Sequence, residues 1–292
     1  MPRLMLTLHK FAAAKLNLYL HVVGRNHDGY HEIDSLVVWL DVGDKLTFSL
    51  ADDLKLEVSG PFANEVGPKE DNLVVQAAEY LRKSCSIRLG AKIHLDKQLP
   101  VGAGMGGGSS DAAAALRALM ELWKCDPGEL NMDALVRSLG ADVPACMIGA
   151  PALVSGVGER VVRLPELPIM HVVLVWPGVK LATSRVFAAH QVKDSNKPLR
   201  ISDLERRDNY LKALLDRSNN LQITAQGLCS EIGKALQLLA STKGCVLSRM
   251  SGSGSACFGL FETKEEAQGA ALYILKKRPS WWVRATRLRS ET

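Results

Sequence analysis

Pro100-Val-Gly-Ala-Gly-Met-Gly-Gly-Gly-Ser-Ser-Asp111 places five glycines within the seven positions Gly102 to Gly108, ahead of an alanine-rich helix predicted to begin at Ala112. Glycine loses more backbone entropy on folding than any other residue. A cluster this dense is explained where backbone N–H groups have to curve around something bulky and negative. A helix start adds free N–H groups and the positive end of its dipole at the same point, so a phosphate is the expected ligand.

The flanks decide which kind of phosphate loop this is. Gly102 to Gly107 satisfies G-x-G-x-x-G, but Pro100 follows the preceding strand, Gly108-Ser109-Ser110 prolongs the loop, and the predicted helix leads into another helix rather than a strand ending in an acid. Ser109 stands where a P-loop would carry lysine, and no H-R-D or D-F-G triplet occurs in the chain. A glycine loop running straight into a helix remains, with N–H dipoles, two hydroxyls and the helix end to share the phosphate charge.

Around this loop the pattern reads as α+β. Leu16, Leu18, Leu20 and Val22 alternate with Lys15, Asn17, Tyr19 and His21, which predicts a strand with one polar face. Asp28-Gly29 signals a turn, and Ile33 to Leu40 is the expected partner strand of a hairpin. Leu46 to Leu50, Leu54 to Val58 and Ala91 to Leu95 read as short strands, and Asp71 as the cap of a helix with Leu73, Ala77, Tyr80 and Leu81 on one stripe. Leu116, Leu119, Met120 and Trp123 mark the buried face of the helix after the loop. Met132, Leu135, Val136 and Leu139 mark a second helix ending at Gly140, just before Asp142. Val172 to Trp176, Cys245 to Met250 and Ala256 to Phe261 are further strands, and the polar stretch Lys193 to Asp208 is a predicted linker. Two lobes are expected, 1–155 and 156–292.

Composition bounds the function. The 292 residues are 47% hydrophobic with mean hydropathy +0.02, which predicts a soluble globular chain, without a membrane span or signal segment and cytoplasmic by default. Six dispersed cysteines without a C-x-x-C pair read as small buried hydrophobes. A net charge of +5 suits an anionic small molecule and is too mild to argue for nucleic acid. The six Lys/Arg between Lys276 and Arg289, interleaved with Trp281 and Trp282, are read as the solvated face of a terminal strand whose tryptophans enter the core.

Pro-x-x-x-Gly-Met-Gly-Gly-Gly-Ser-Ser-Asp resembles the second signature of the GHMP family of small-molecule kinases. Ala14-Lys15-Leu16-Asn17-Leu18 resembles the first signature, and Met250-Ser-Gly-Ser-Gly-Ser-Ala-Cys-Phe258 the third. The resemblance implies a two-lobed fold with the active site in the cleft between lobes. It also implies ATP as phosphoryl donor, its phosphates held by Pro100, Gly102, Gly104, Gly106, Gly107, Gly108, Ser109 and Ser110. Mg²⁺ is expected with ATP, and no protein ligand for it is assigned.

Gly24-Arg-Asn-His-Asp-Gly-Tyr-His31 and Leu139-Gly-Ala-Asp-Val-Pro144 are similar to the branch of the family that phosphorylates the 2-hydroxyl of 4-diphosphocytidyl-2-C-methyl-D-erythritol in non-mevalonate isoprenoid biosynthesis. The partner implied is thus a small anionic molecule bearing a cytidine diphosphate group. Tyr30 and Phe187 are implied to flank the base, with His31 and Asn17 supplying hydrogen bonds. His27 and His31 stand four apart, but the turn between them argues against a helical metal pair. Asp142 is the implied base and Lys15 its electrostatic partner at the acceptor hydroxyl. Two departures stand out: Asn219-Asn220-Leu221-Gln222 where an Asn-Asp-x-Glu stretch is expected, and Met105 for the more usual Leu. A homoserine- or mevalonate-type kinase of the same family and a non-catalytic nucleotide-binding regulator are the alternatives, and no oligomeric state is assigned.

Overall fold

The computed structural model describes residues 6–126, 131, 134, 136, 138–191, 199, 204 and 207–289. Its first elements are the long strands β1 (Thr7–Arg25) and β2 (His31–Ala51), which pair with each other. The expected turn joins them. Gly29 N–H donates to Asn26 O (3.0 Å) and Asn26 N–H to Tyr30 O (2.8 Å), while Gly29 adopts φ +82°, a backbone shape that glycine takes without strain. Leu46 to Leu50, expected as a separate strand, is the far end of β2.

The chain divides into two interleaved units rather than at a single boundary near residue 155. One contains the chain up to Ala14, Gly43–Val101 and Gly106–Ile148; the other contains Lys15–Val42, Gly102–Met105 and the chain from Gly149 onward. The passage within β1 falls at Ala14–Lys15 and that within β2 inside Asp41-Val-Gly-Asp-Lys45; both strands run on through them, so neither reads as a domain boundary.

In the first unit β2 pairs antiparallel with β4 (Gly90–Asp96), and β4 pairs parallel with β3 (Lys55–Ser59). Helices α1 (Leu73–Ser84), α2 (Gly107–Trp123) and α3 (Val143–Ile148) belong to the same unit. Asn72, not Asp71, caps α1, its side chain accepting Val74 N–H at 2.9 Å. Phe48, Ile93, Leu81, Leu116 and Leu119 form the core, each buried side chain stabilising by about 1.5–3 kcal/mol. Met132 and Leu135 of the second predicted helix lie outside the described residues, and most of the predicted linker Lys193 to Asp208 does too.

In the second unit β2 pairs with β5 (Ala152–Gly156) and β5 with β6 (Arg160–Arg163), all antiparallel. A separate antiparallel sheet runs β10-β7-β9-β8, made of β7 (His171–Trp176), β8 (Leu247–Met250), β9 (Cys257–Phe261) and β10 (Trp282–Arg287). Helices α4 (Thr183–Ala189), α5 (Arg207–Leu215), α6 (Leu221–Leu228), α7 (Ser230–Ala240) and α8 (Lys264–Lys277) belong to the same unit. Trp281 and Trp282 are buried as expected, with Arg278 and Arg284 lying over their rings, so neither indole is offered to a base. All six cysteines are free. Among the described residues no helix is long and apolar enough to cross a membrane.

Candidate phosphate and acceptor site

Helix α2 begins at Gly107, five residues before the alanine run at which the sequence places its start. The end of the glycine cluster is therefore the helix's first turn. Gly106 is the N-cap, in the left-handed region at φ 62°, and has no side chain to cap the helix. The first i to i−4 bond runs from Ser110 N–H to Gly106 O (2.9 Å), and the first turn carries no acidic residue. Gly107, Gly108 and Ser109 thus present N–H groups, at the positive end of a 17-residue helix, that no i−4 carbonyl takes. This suits a phosphate far better than it suits packing.

Beneath that turn the first unit holds a buried charge cluster that sequence reading missed. Lys97 Nζ lies 2.6 Å from Asp44 Oδ2 and 2.5 Å from Asp111 Oδ2. Asp44 Oδ1 also accepts the N–H groups of Gln98 (2.6 Å) and Leu99 (2.8 Å), fixing the chain just before Pro100. Burial opposes the Lys97 ammonium, but the two carboxylates outweigh it and raise its pKa; burial raises that of Asp111 against the pull of Lys97. Lys97 is therefore a strut under the loop, not a phosphate ligand of the P-loop kind. No spacing rule links Asp44 to Lys97, so only the fold reveals the cluster.

Asp142 lies in the same unit at the start of α3, half-buried, its carbonyl accepting Cys146 N–H at 3.1 Å. Arg117 Nη1, on α2, donates to the carbonyls of Cys146 (3.0 Å) and Met147 (3.4 Å) near the other end of α3.

In the second unit the three glycine- and lysine-bearing motifs converge. Lys15 N–H donates to Met105 O (2.9 Å) and Ala256 N–H to Ala103 O (2.9 Å). Ser251 Oγ accepts Asn17 N–H (3.2 Å) and donates to Gly104 O (3.2 Å). A Cβ on Gly104, at φ +80°, would stand 2.6 Å from Gly254 O, so this contact requires glycine.

Lys15 and Asn17 are buried together with Tyr19 and His21, so the polar face of β1 is covered rather than solvated. Hydrogen bonds make that tolerable. Asn17 Nδ2 donates to Ser35 Oγ (2.8 Å), which donates to Tyr19 O (2.6 Å); Tyr19 Oη donates to Asp34 Oδ1 (3.1 Å). With its amide group turned to Ser35, Asn17 leaves its buried Oδ1 without a protein partner, an acceptor placed to receive a ligand's donor.

The segment that departs from the family pattern has a clear structural role. Asn219 Nδ2 donates to Met250 O and Gly252 O, Gln222 Oε1 accepts Met250 N–H (2.9 Å), and Asn220 Oδ1 accepts Val22 N–H (2.8 Å). The amides clamp the third motif to β1 without an acidic pair. Arg249 adds bonds to the carbonyls of Leu18, Leu214 and Arg217, and its burial brings its pKa down to about 10.

At the hairpin end of the same unit the His31 and Phe187 rings lie 5.0 Å apart at 42°, while Tyr30 is 68% exposed at the turn. Tyr30 is thus not a hairpin packing residue: only its backbone is engaged, its N–H donating to Asn26 Oδ1 (2.9 Å). Among the described residues no group of three or more His, Cys, Asp or Glu could hold a metal ion, so no side chains are assigned to Mg²⁺.

The N-terminal domain of GHMP kinases matches residues 72–150 and the C-terminal domain residues 201–279. A 4-diphosphocytidyl-2-C-methyl-D-erythritol kinase of Parvibaculum lavamentivorans is 44% identical over 93% of this chain and 95% of its own. Its counterpart from Paramagnetospirillum magneticum is 43% identical over 96% and 98%. A crystal structure of 4-(cytidine 5'-diphospho)-2C-methyl-D-erythritol kinase superimposes with a TM-score of 0.79 at 34% identity, covering 97% of this chain and all of the other. Homoserine kinase from Cytophaga hutchinsonii, at 17% identity and a TM-score of 0.69 over 98% and 95%, shares the fold. With both domains of the family matched and relatives at 43–44% identity named as kinases, the chain belongs to the GHMP kinases and is an ATP-dependent small-molecule kinase.

Proposed function

We propose that this kinase transfers the γ-phosphoryl group of ATP to the 2-hydroxyl of 4-diphosphocytidyl-2-C-methyl-D-erythritol, a step of non-mevalonate isoprenoid synthesis. The observation that carries the acceptor is the His31–Phe187 ring pair at the hairpin end, where the neighbouring residue in sequence, Tyr30, is 68% exposed. A phenyl ring with a hydrogen-bonding imidazole against it suits a pyrimidine base, which offers both a face to stack and a polar edge, and has no use in binding homoserine or mevalonate. The relatives named for this substrate, at 43–44% identity, support the same reading.

In this reading the N–H groups of Gly107, Gly108 and Ser109 hold the ATP phosphates and take up charge as the transferring group loosens from ADP. Asp142 accepts the proton of the 2-hydroxyl while that oxygen bonds to the γ-phosphorus and the bond to the ADP oxygen breaks. The Lys15 ammonium offsets the negative charge that builds on the attacking oxygen. Asn17 Oδ1 accepts a hydrogen bond from the substrate. Mg²⁺ arriving with ATP supplies charge neutralisation at the phosphate oxygens. The test is a phosphorus–proton correlation spectrum of the product made from ATP and the substrate: the reading predicts coupling of the new phosphate to no carbon-bound proton, because C2 bears the methyl group. A phosphate coupled to a carbinol proton elsewhere on the chain would refute the assignment.

A further inference from the structure

We infer that Arg25 fixes the proton of His31 on Nδ1, and so makes His31 a one-way donor that accepts cytosine and rejects uracil. This rests on the proposed base pocket and adds a specificity residue to it. Arg25 Nε–H donates to His31 Nε2 at 3.1 Å. An arginine has only donors, so the nitrogen it faces has to be the unprotonated one. In the neutral ring the remaining proton then sits on Nδ1.

The surroundings keep the ring neutral and in place. Burial lowers the pKa of His31, and the Arg25 cation and His190 lower it further. Phe187 packs against the ring at 5.0 Å. His190, three residues after Phe187 at the C-terminal end of α4, is itself buried with a lowered pKa; its backbone N–H donates to Phe187 O (3.2 Å) and its Nδ1 faces Thr224 Oγ1 (3.4 Å). Protonating His31 would set two N–H groups, those of Nε2 and Arg25, against each other.

A fixed donor discriminates between the two pyrimidines. Cytosine presents an unprotonated N3, which accepts from Nδ1–H; uracil presents N3–H, which would face it donor to donor. Because two donors facing one another lose their hydrogen bond and repel, the pocket rejects uracil rather than merely preferring cytosine. Without Arg25 the imidazole is free to move its proton to Nε2 and turn an acceptor toward the base, which suits uracil as well.

The test uses the full chain saturated with the β,γ-imido analogue of ATP, so that the donor site is filled, and titrates CDP and UDP calorimetrically. The unaltered protein is expected to bind CDP roughly tenfold or more tighter than UDP. Arg25→Leu is expected to bring the two within about threefold, and Arg25→Lys, which keeps a donor toward Nε2, to restore most of the gap. Nitrogen-15 spectra of the unaltered protein should show His31 as the Nδ1–H tautomer, a readout independent of how any variant folds. A tautomer protonated on Nε2, or an Arg25→Leu protein with an unchanged CDP/UDP ratio, overturns the inference. If His31→Ala leaves CDP affinity intact, the base pocket itself is wrong and the inference falls with it; if His31→Ala loses CDP while Arg25→Leu keeps the ratio, only the role of Arg25 is refuted.

Discussion

Asn219 Nδ2 lies 2.8 Å from Met250 O and 2.7 Å from Gly252 O, so one buried amide holds the entry to the turn that packs on Gly104. Asn219 Oδ1 also accepts Leu221 N–H at 3.0 Å, which leaves the side chain fully used. Asn219→Ala removes three hydrogen bonds and strands two buried carbonyls, and is expected to cost about 2–4 kcal/mol in urea unfolding. Asn219→Asp is expected to be no better, since a carboxylate cannot donate to either carbonyl.

The glycines of the phosphate loop divide by what surrounds them. At Gly104 a methyl group would meet Gly254 O at 2.6 Å on a backbone of φ +80°, so Gly104→Ala is expected to destabilise the fold by roughly 1–3 kcal/mol. At Gly108 the nearest heavy atom would be Leu73 Cδ1, at an ordinary 3.7 Å. Gly108→Ala is therefore expected to stay within about 0.5 kcal/mol of the parent in stability while raising KM for ATP. Thermal unfolding together with ATP kinetics on the two variants checks both expectations.

Much of this was legible in the chain because local rules act over a few residues. The turn at Asp28-Gly29, the strands at Ala91 to Leu95 and Val172 to Trp176, and the glycine loop before a helix all follow from pattern and backbone preference. The first turn of α2 is hidden in the sequence because it is made of glycine and serine, whose low helix propensity resembles that of a loop. The Lys97–Asp44–Asp111 cluster and the Asn219 clamp could not be read at all: their partners lie 53, 14 and some thirty residues apart, and only the tertiary fold joins them. The interleaving of the two units was hidden for the same reason.

The cluster under the loop makes stability depend on pH in a defined direction. The pKa of Asp111 is raised in the folded protein, chiefly by burial, so between the ordinary carboxylate range and its folded value the native state holds a proton that the unfolded chain has lost. Its contribution is full below the unfolded pKa and is lost as pH rises through the folded one. Asp111→Asn removes that proton exchange, leaving an amide oxygen to accept from Lys97. Urea denaturation at pH 5 and pH 8 is expected to show the parent losing stability across this range by on the order of 1 kcal/mol more than the variant does.

The base assignment predicts a separation of chemistry from binding. Asp142→Asn keeps the shape of the side chain and cannot take a proton, so kcat is expected to fall by roughly 10²–10⁴ while ATP affinity stays within about twofold. Lys15→Met is expected to lower kcat as well. Direct ATP binding and single-turnover rates separate the two effects, and undiminished turnover by Asp142→Asn would remove it from the chemistry.

The most direct measurement is ADP release by the purified chain from ATP with each candidate acceptor in turn. The account predicts release that depends on 4-diphosphocytidyl-2-C-methyl-D-erythritol, with kcat/KM at least about 10³ above that for homoserine or mevalonate. Equal or faster turnover of homoserine or mevalonate, or no release with any of the three, would contradict it.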